Sequence, residues 1–313
     1  LYTTRCEKHC ARAWHSHLNK KIMLKIKCFY FNPFRECCIV ASDGSGEAVI
    51  VDPGCCNETE TEALTSYIGS EGLNVRKILL THGHFDHIFG VSELSSRYDV
   101  PVLMNLADMP IIEHVEVLCK AFGVPVPDIS FAHDSSESIG LQTDGTDSRT
   151  DRPVFPNAGG MQTQTVYTAD IQDPGRTSPR TRTVSTGQMQ KVSGNRIVGI
   201  QDGDIIEWGT DRKWEVIETP GHTPGCVCFL DREARLLLSG DTLFAGSIGR
   251  TDHEGGDYDV LIRSIFEKLM PLDGDISVIP GHGPHTSIAD ESTKNPFLQP
   301  FNEPLPEEEK DPE

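Results

Sequence analysis

The run Thr81-His82-Gly83-His84-Phe85-Asp86-His87 packs three imidazoles and a carboxylate together, directly after the apolar stretch Lys77-Ile78-Leu79-Leu80. Few structural needs explain such a cluster. Neutral imidazole and carboxylate are the ligands that borderline and hard divalent ions prefer, and a strand followed by a tight turn can aim several of them at one point. The segment predicts a metal site. A polar surface loop that happens to be rich in His is the alternative for this stretch taken alone.

Three more places share the pattern. Trp214-Glu215-Val216-Ile217-Glu218 runs into Thr219-Pro220-Gly221-His222, Arg235-Leu236-Leu237-Leu238-Ser239 into Gly240-Asp241, and Ile276-Ser277-Val278-Ile279 into Pro280-Gly281-His282. Each is an apolar run that ends in a turn bearing His or Asp, which is how loops on a rigid sheet present catalytic groups. Between them, Asn57 to Ser70 places Leu64, Tyr67 and Ile68 on one helical face, and Val91 to Tyr98 continues with the same spacing. Val100 to Met104 reads as a strand, and Ile111, Ile112, Val115 and Leu118 as a helical stripe in which His114 is a surface or packing residue. Strands alternating with helices, with ligand loops at strand ends, imply an α/β layered architecture.

These residues resemble the metallo-β-lactamase superfamily: a His-x-His-x-Asp-His run, then Gly221-His222, Gly240-Asp241 and Gly281-His282, in that family's order. The resemblance covers most of residues 24 to 298 and implies a four-layer αββα sandwich of two mixed sheets between helices. It implies that His82, His84 and His222 hold one metal, that Asp86, His87 and His282 hold a second, and that Asp241 bridges them. Val51-Asp52-Pro53-Gly54 also matches, and Asp52 is expected to orient a ligand or to fix its turn; a plain Asp-Pro-Gly turn is the alternative. Within the superfamily the chain is similar to the glyoxalase II-like thioester hydrolases, through Asp241 to Asp252, Gly255-Gly256-Asp257-Tyr258 and Asn295-Pro296-Phe297. There Arg250 either faces substrate or pairs with Asp252 or Asp257.

The expected chemistry is hydrolysis of small thioesters or esters, with hydroxyacyl thioesters foremost. Two divalent ions sharing a water lower its pKa and polarise a carbonyl, so no protein nucleophile is needed, and Asp86 would orient the attacking hydroxide. Zinc is the default for five His and two Asp, with iron or manganese also compatible. The alternatives are a mononuclear iron persulfide dioxygenase using His82, His84 and Asp241, a lactonase, and a non-catalytic metal-stabilised module. Glutathione-using relatives add a basic C-terminal region, whereas here a short acidic stretch follows His282, so the thiol carrier is left unassigned.

A formal charge of -19 opposes nucleic-acid binding, which draws on basic contacts to phosphates, and no apolar run reaches membrane-spanning length. The expected partner is a small molecule. Adjacent pairs Cys37-Cys38 and Cys55-Cys56 are awkward for bridging, so the ten cysteines fit a reducing, cytoplasmic setting; Cys226 and Cys228 are expected to pack as small hydrophobes. Residues 1–22 read as an extension, non-native or disordered, with Met23 as the expected start. Residues 23–303 form the hydrolase domain and 304–313 an acidic tail. Within the domain, residues 130–198 are rich in Thr, Ser, Gln, Gly, Asp and Pro, with no sustained period, and are expected to be a disordered insertion because so little apolar surface cannot offset the entropy of ordering.

Overall fold

Strand β2 (Glu36–Ser42) is buried at all seven positions, and its side chains serve two different cores. Cys38 and Val40 point to one, Cys37, Ile39 and Ala41 to the other, as the two-residue period of a strand requires. The same division runs through β3 (Glu47–Val51), where Ala48 and Ile50 oppose Val49 and Val51, and through β5 (Val102–Met104), where Val102 and Met104 oppose Leu103. A sheet buried on both faces must be covered on both, and its strands therefore read as nearly continuous apolar runs.

The computed structural model describes residues 24–133, 183–184 and 197–299. Among these, one sheet has the order β1 (Lys25–Phe31), β2, β3, β4 (Asn74–Leu79), β5 and β7 (Ile197–Gly199). The pairs β1–β2 and β2–β3 are antiparallel, and the rest are parallel. The second sheet runs β15 (Thr286–Ser287), β14 (Ser277–Pro280), β11 (Leu236–Gly240), β10 (Val227–Asp231), β9 (Arg212–Glu218), β8 (Ile205–Trp208) and β6 (Thr183–Val184). A short hairpin, β12 (Leu243–Phe244) with β13 (Ser247–Ile248), follows β11.

Three apolar cores define the layers. The central one lies between the sheets and joins Ile39, Val49 and Leu79 to Trp214, Val216, Phe229 and Leu238. The first sheet's outer face packs Ile50 and Ile78 against Leu64 and Ile68 of α1 (Glu58–Ser70) and Leu94 of α3 (Val91–Tyr98). The second sheet's outer face packs Cys228, Leu230, Leu237 and Val278 against Leu261 of α7 (Tyr258–Ser264) and Ile288 of α8 (Ile288–Lys294). This is the expected αββα sandwich. Helix α1 starts where its sequence says it should, with the Asn57 side chain accepting the Glu60 N–H at 3.0 Å.

The stripe expected over Ile111 to Leu118 is not one helix. It breaks at His114, whose backbone (φ -103, ψ 10) leaves helical geometry while its ring Nδ1 meets the Pro110 carbonyl at 2.7 Å, giving α4 (Met109–Glu113) and α5 (Val115–Phe122). The ends of the 130–198 stretch also differ from the disordered insertion expected there. Phe131 and Ala132, in α6 (Ser130–His133), are buried in the first sheet's outer core, and β7 pairs with β5. The extension at 1–22, the tail at 304–313 and the bulk of the insertion lie outside the described residues. No helix among the described residues is long and apolar enough to cross a membrane.

Phe229 is fully buried between the sheets, with its ring centroid 6.2 Å from that of Trp214. Phe229→Ala is expected to cost about 3–5 kcal/mol of stability, read from the denaturant midpoint.

Candidate metal centre

Every loop expected to carry a ligand leaves the C-terminal end of a strand. His82, His84, Asp86 and His87 follow β4, Asp241 follows β11, His282 follows β14, His222 follows β9, and Asp52 follows β3. Two backbone bonds close the sheets onto one another at this edge: Val227 N–H donates to the Thr81 carbonyl at 2.9 Å, and Cys37 N–H to the Gly281 carbonyl at 2.7 Å. A third, Gly281 N–H to the Gly240 carbonyl at 2.8 Å, sets the His282 turn beside the Asp241 turn. A Cβ at Gly281 would lie 2.3 Å from Asp241 Oδ1, so only glycine lets the two turns approach this closely.

All seven residues converge. His84 Nδ1 lies 2.9 Å from His222 Nε2, and His87 Nε2 lies 3.3 Å from His282 Nε2. Asp241 Oδ2 is 3.5 Å from both His222 Nε2 and His282 Nε2, and its Oδ1 is 3.5 Å from His87 Nε2. Asp86 Oδ2 sits 3.4 Å from His282 Nε2. Three triads have their ligand atoms mutually within 4.8 Å: His82, His84 and His222; His82, His87 and Asp241; Asp86, His87 and His282. Two buried polar atoms in the cluster, His82 Nε2 and Asp241 Oδ1, have no hydrogen-bond partner. Orphaned lone pairs are costly in a protein interior, and a nitrogen and an oxygen left without donors fit a divalent cation.

Outer contacts fix which ring nitrogen points inward. His87 Nδ1 meets Asp52 Oδ2 at 3.1 Å, His222 Nδ1 meets the Arg250 carbonyl at 2.7 Å, and His282 Nδ1 meets the Phe34 carbonyl at 3.1 Å. Since each acceptor is an oxygen, Nδ1 carries the proton and Nε2 is left facing the cluster. Asp52 does more than bind His87. Its backbone is left-handed (φ 47), and it accepts the Thr81 N–H at 2.8 Å and the Thr81 hydroxyl at 2.6 Å. Thr81 Oγ1 in turn lies 3.0 Å from His82 Nδ1, so one carboxylate orients both ends of the β4 loop.

Charge divides the cluster in two. Burial, reinforced by neighbouring imidazoles, pushes His82 and His84 well below the ordinary histidine value. Burial also lowers His222, against the pull of Asp241. His87 behaves in the opposite way: burial opposes its charge, but Asp241, Asp86 and Asp52 outweigh it and raise the ring to about 10. His282 is raised by Asp86 and Asp241 despite its burial.

Arg250 pairs with Asp252 through Nε at 2.9 Å, one of the two arrangements expected, while its backbone carbonyl takes the unforeseen part of holding His222. Cys55 lies in the outer core of the first sheet, and Cys228 in that of the second; Cys226 instead receives the Thr223 N–H at 3.4 Å. Sequence reasoning missed three residues. Asp108, fully buried, accepts the Gly83 N–H at 2.8 Å, the Thr223 hydroxyl at 2.7 Å and the Gly225 N–H at 2.6 Å, tying the His82–His84 turn to the His222 turn. His253 lies with Nε2 3.3 Å from His222 Nδ1. Glu36 is fully buried with both carboxyl oxygens unpartnered, and burial together with Asp52 and Asp86 pushes it well above the usual carboxylate range. None sits in a recognisable pattern; Asp108, at the end of a short 3-10 helix, and His253, in a loop, lie far in sequence from what they touch.

A buried His and Asp cluster at the joined edge of two sheets in an αββα sandwich defines a class of metal-dependent proteins. The chain belongs to the metallo-beta-lactamase superfamily, whose pattern it matches over residues 36–282. It is 29% identical to hydroxyacylglutathione hydrolase GloC of Haemophilus influenzae over 276 residues, covering 88% of this chain and 98% of GloC. Among solved structures it is similar to the B3 metallo-beta-lactamase BLEG-1 (TM-score 0.62, 26% identity, 88% of this chain and 100% of that one). It is also similar to TTHA1623 in a di-iron-bound form (TM-score 0.55, 28% identity, 87% and 100%).

Asp108→Ala removes three acceptor contacts that hold the two ligand turns together. Metal affinity is expected to fall about 10–100-fold, read by competition with a chromogenic chelator, with the fold retained by circular dichroism.

Proposed function

We propose that the protein is a binuclear metal-dependent hydrolase of small thioesters or esters, in which His82, His84 and His222 hold one ion, Asp86, His87 and His282 hold the other, and Asp241 bridges them. The observation that carries this reading is the placement of the Asp241 carboxylate within 3.5 Å of His87, His222 and His282, between the two triads. A single-ion site needs no carboxylate shared in this way. Bound divalent ions would bring a water's pKa toward neutrality and polarise the scissile carbonyl. Zinc suits the donor set, and iron remains compatible, as the di-iron form of TTHA1623 illustrates for a similar protein.

Asp86 is the residue assigned to orient the attacking water. Burial opposes its charge, but His87 and His282 outweigh that and hold the carboxyl well below the usual carboxylate range, so it is an acceptor throughout the neutral region. Asp52 holds His87 in place, and the Arg250 and Phe34 carbonyls hold His222 and His282. The name of GloC supports a hydroxyacyl thioester substrate. The Arg250 guanidinium, already paired with Asp252, leaves the thiol carrier open. The eight described cysteines are free thiols, which fits a reducing, cytoplasmic setting.

The deciding experiment combines elemental analysis of protein purified without chelator with an assay panel of S-lactoylglutathione, a simpler acyl thioester, a homoserine lactone and a persulfide under oxygen monitoring. About two ions per chain and thioester turnover are expected. One ion with oxygen uptake would replace the hydrolase by a dioxygenase. Asp86→Ala is expected to lower kcat by roughly a hundred-fold or more; unchanged turnover with both ions bound would remove its role.

Metal uptake should also depend on pH in two ways. His82, His84 and His222 have lowered pKa values and are neutral at pH 7, whereas His87 and His282 have raised ones and must lose protons to bind. Calorimetric titration at about pH 6 and pH 8 is expected to show the second equivalent binding more tightly at the higher pH, with a smaller change in the first.

A further inference from the structure

A second cluster of chemically capable side chains lies away from the metal triads, on the edge strand β1. The β1–β2 register sets Cys28 opposite Ile39 and Tyr30 opposite Cys37, so Cys28 and Cys37 stand diagonally on one face. Cys28 is half-buried and Cys37 buried. From the loop between β14 and β15, His285 brings its Nε2 to 3.8 Å from Cys28 Sγ.

We propose that Cys28 is a redox modification site, a nucleophilic thiolate supported by Cys37 and His285 that exchanges with small-molecule disulfides to form a mixed disulfide. The groups around it are Lys27 and Tyr30 on β1, Cys37 and Cys38 on β2, and His285 across the edge. Interaction with the neighbouring Cys37 thiol, against the cost of burial and with help from His285 and Lys27, pulls the Cys28 thiol down to about 6. The same interaction and burial push Cys37 up, so it stays a thiol. A partly exposed thiol beside an imidazole is the kind of setting that separates reactive cysteines from inert core ones.

In the exchange, the Cys28 sulfur attacks one sulfur of R–S–S–R. A Cys28–S–S–R bond forms, the R–S–S–R bond breaks, and R–S⁻ departs to be protonated by solvent. The disulfide is the only oxidant required. Cys37 does not complete a second exchange: diagonal positions on paired antiparallel strands hold their Cα atoms about 7–8 Å apart, whereas a disulfide spans about 4.4–6.8 Å. The adduct is therefore expected to persist. It would sit beside Cys37, whose N–H donates to the carbonyl of Gly281, next to His282.

Cys56 supplies an internal control, since it is also partly exposed but burial pushes its thiol up. The full chain is incubated with 2-hydroxyethyl disulfide between about pH 5 and pH 9, quenched with acid, and mapped by peptide mass. At about pH 7 Cys28 is expected to react several-fold faster than Cys56, the gain in thiolate exceeding the loss in nucleophilicity. Its rate should level off above about pH 7 while that of Cys56 is still climbing at about pH 9. Cys37→Ala and His285→Gln should each move the Cys28 midpoint upward, and Cys37→Ser, which keeps a donor, should move it less. His285 is exposed, so the His285→Gln result stands even if Cys37→Ala fails to fold. A Cys28 that stays unmodified, reacts no faster than Cys56, or titrates at an ordinary thiol value of about 8.5 overturns the proposal. The readout is adduct mass, so it is independent of whether the hydrolase assignment holds.

Discussion

The candidate metal centre depends on one constraint: several imidazoles must turn unprotonated nitrogens toward the same small volume. Left to itself, a group of buried rings would rotate to hydrogen-bond one another or retreat toward water. Here oxygen acceptors behind His87, His222 and His282 accept the outer N–H and fix each ring, and Asp52 with Thr81 does the same for the start of the β4 loop. Carboxylates behind the ligands cost desolvation, and the strand ends that present them must be rigid enough to justify it.

That rigidity comes from the sandwich. Sheets buried on both faces leave their strand ends as the natural place for polar groups, because only there can side chains escape the three apolar cores. Backbone bonds from Cys37 to Gly281 and from Val227 to Thr81 pull the two sheets together at that edge. Asp108 then bridges the His82–His84 turn and the His222 turn through its side chain. The cluster is consequently shared property: no single loop holds a complete triad around Asp241.

Much of this was legible from the chain. Apolar runs ending in His or Asp turns located the strands that carry ligands, and Asn57 marked the start of α1. Less visible was the break at His114, where the apolar stripe continues but the backbone leaves helical geometry. Phe131 and β7 were also hidden, since a few apolar residues at the edges of a polar stretch look like nothing until a core is present to receive them. Asp108, His253 and Glu36 gave no signal, because isolated polar residues acquire meaning only through distant neighbours.

The sequence alone determined the alternation of strands and helices and the His and Asp side chains of the candidate metal centre, because two-residue periodicity and imidazole-rich turns are local properties. Only the tertiary structure decided which nitrogen of each ring faces inward, that Asp241 stands between two triads, and that Cys28 lies beside Cys37 and His285. Those facts depend on strand register and on the packing of one sheet edge against the other, and neither is encoded in any single segment.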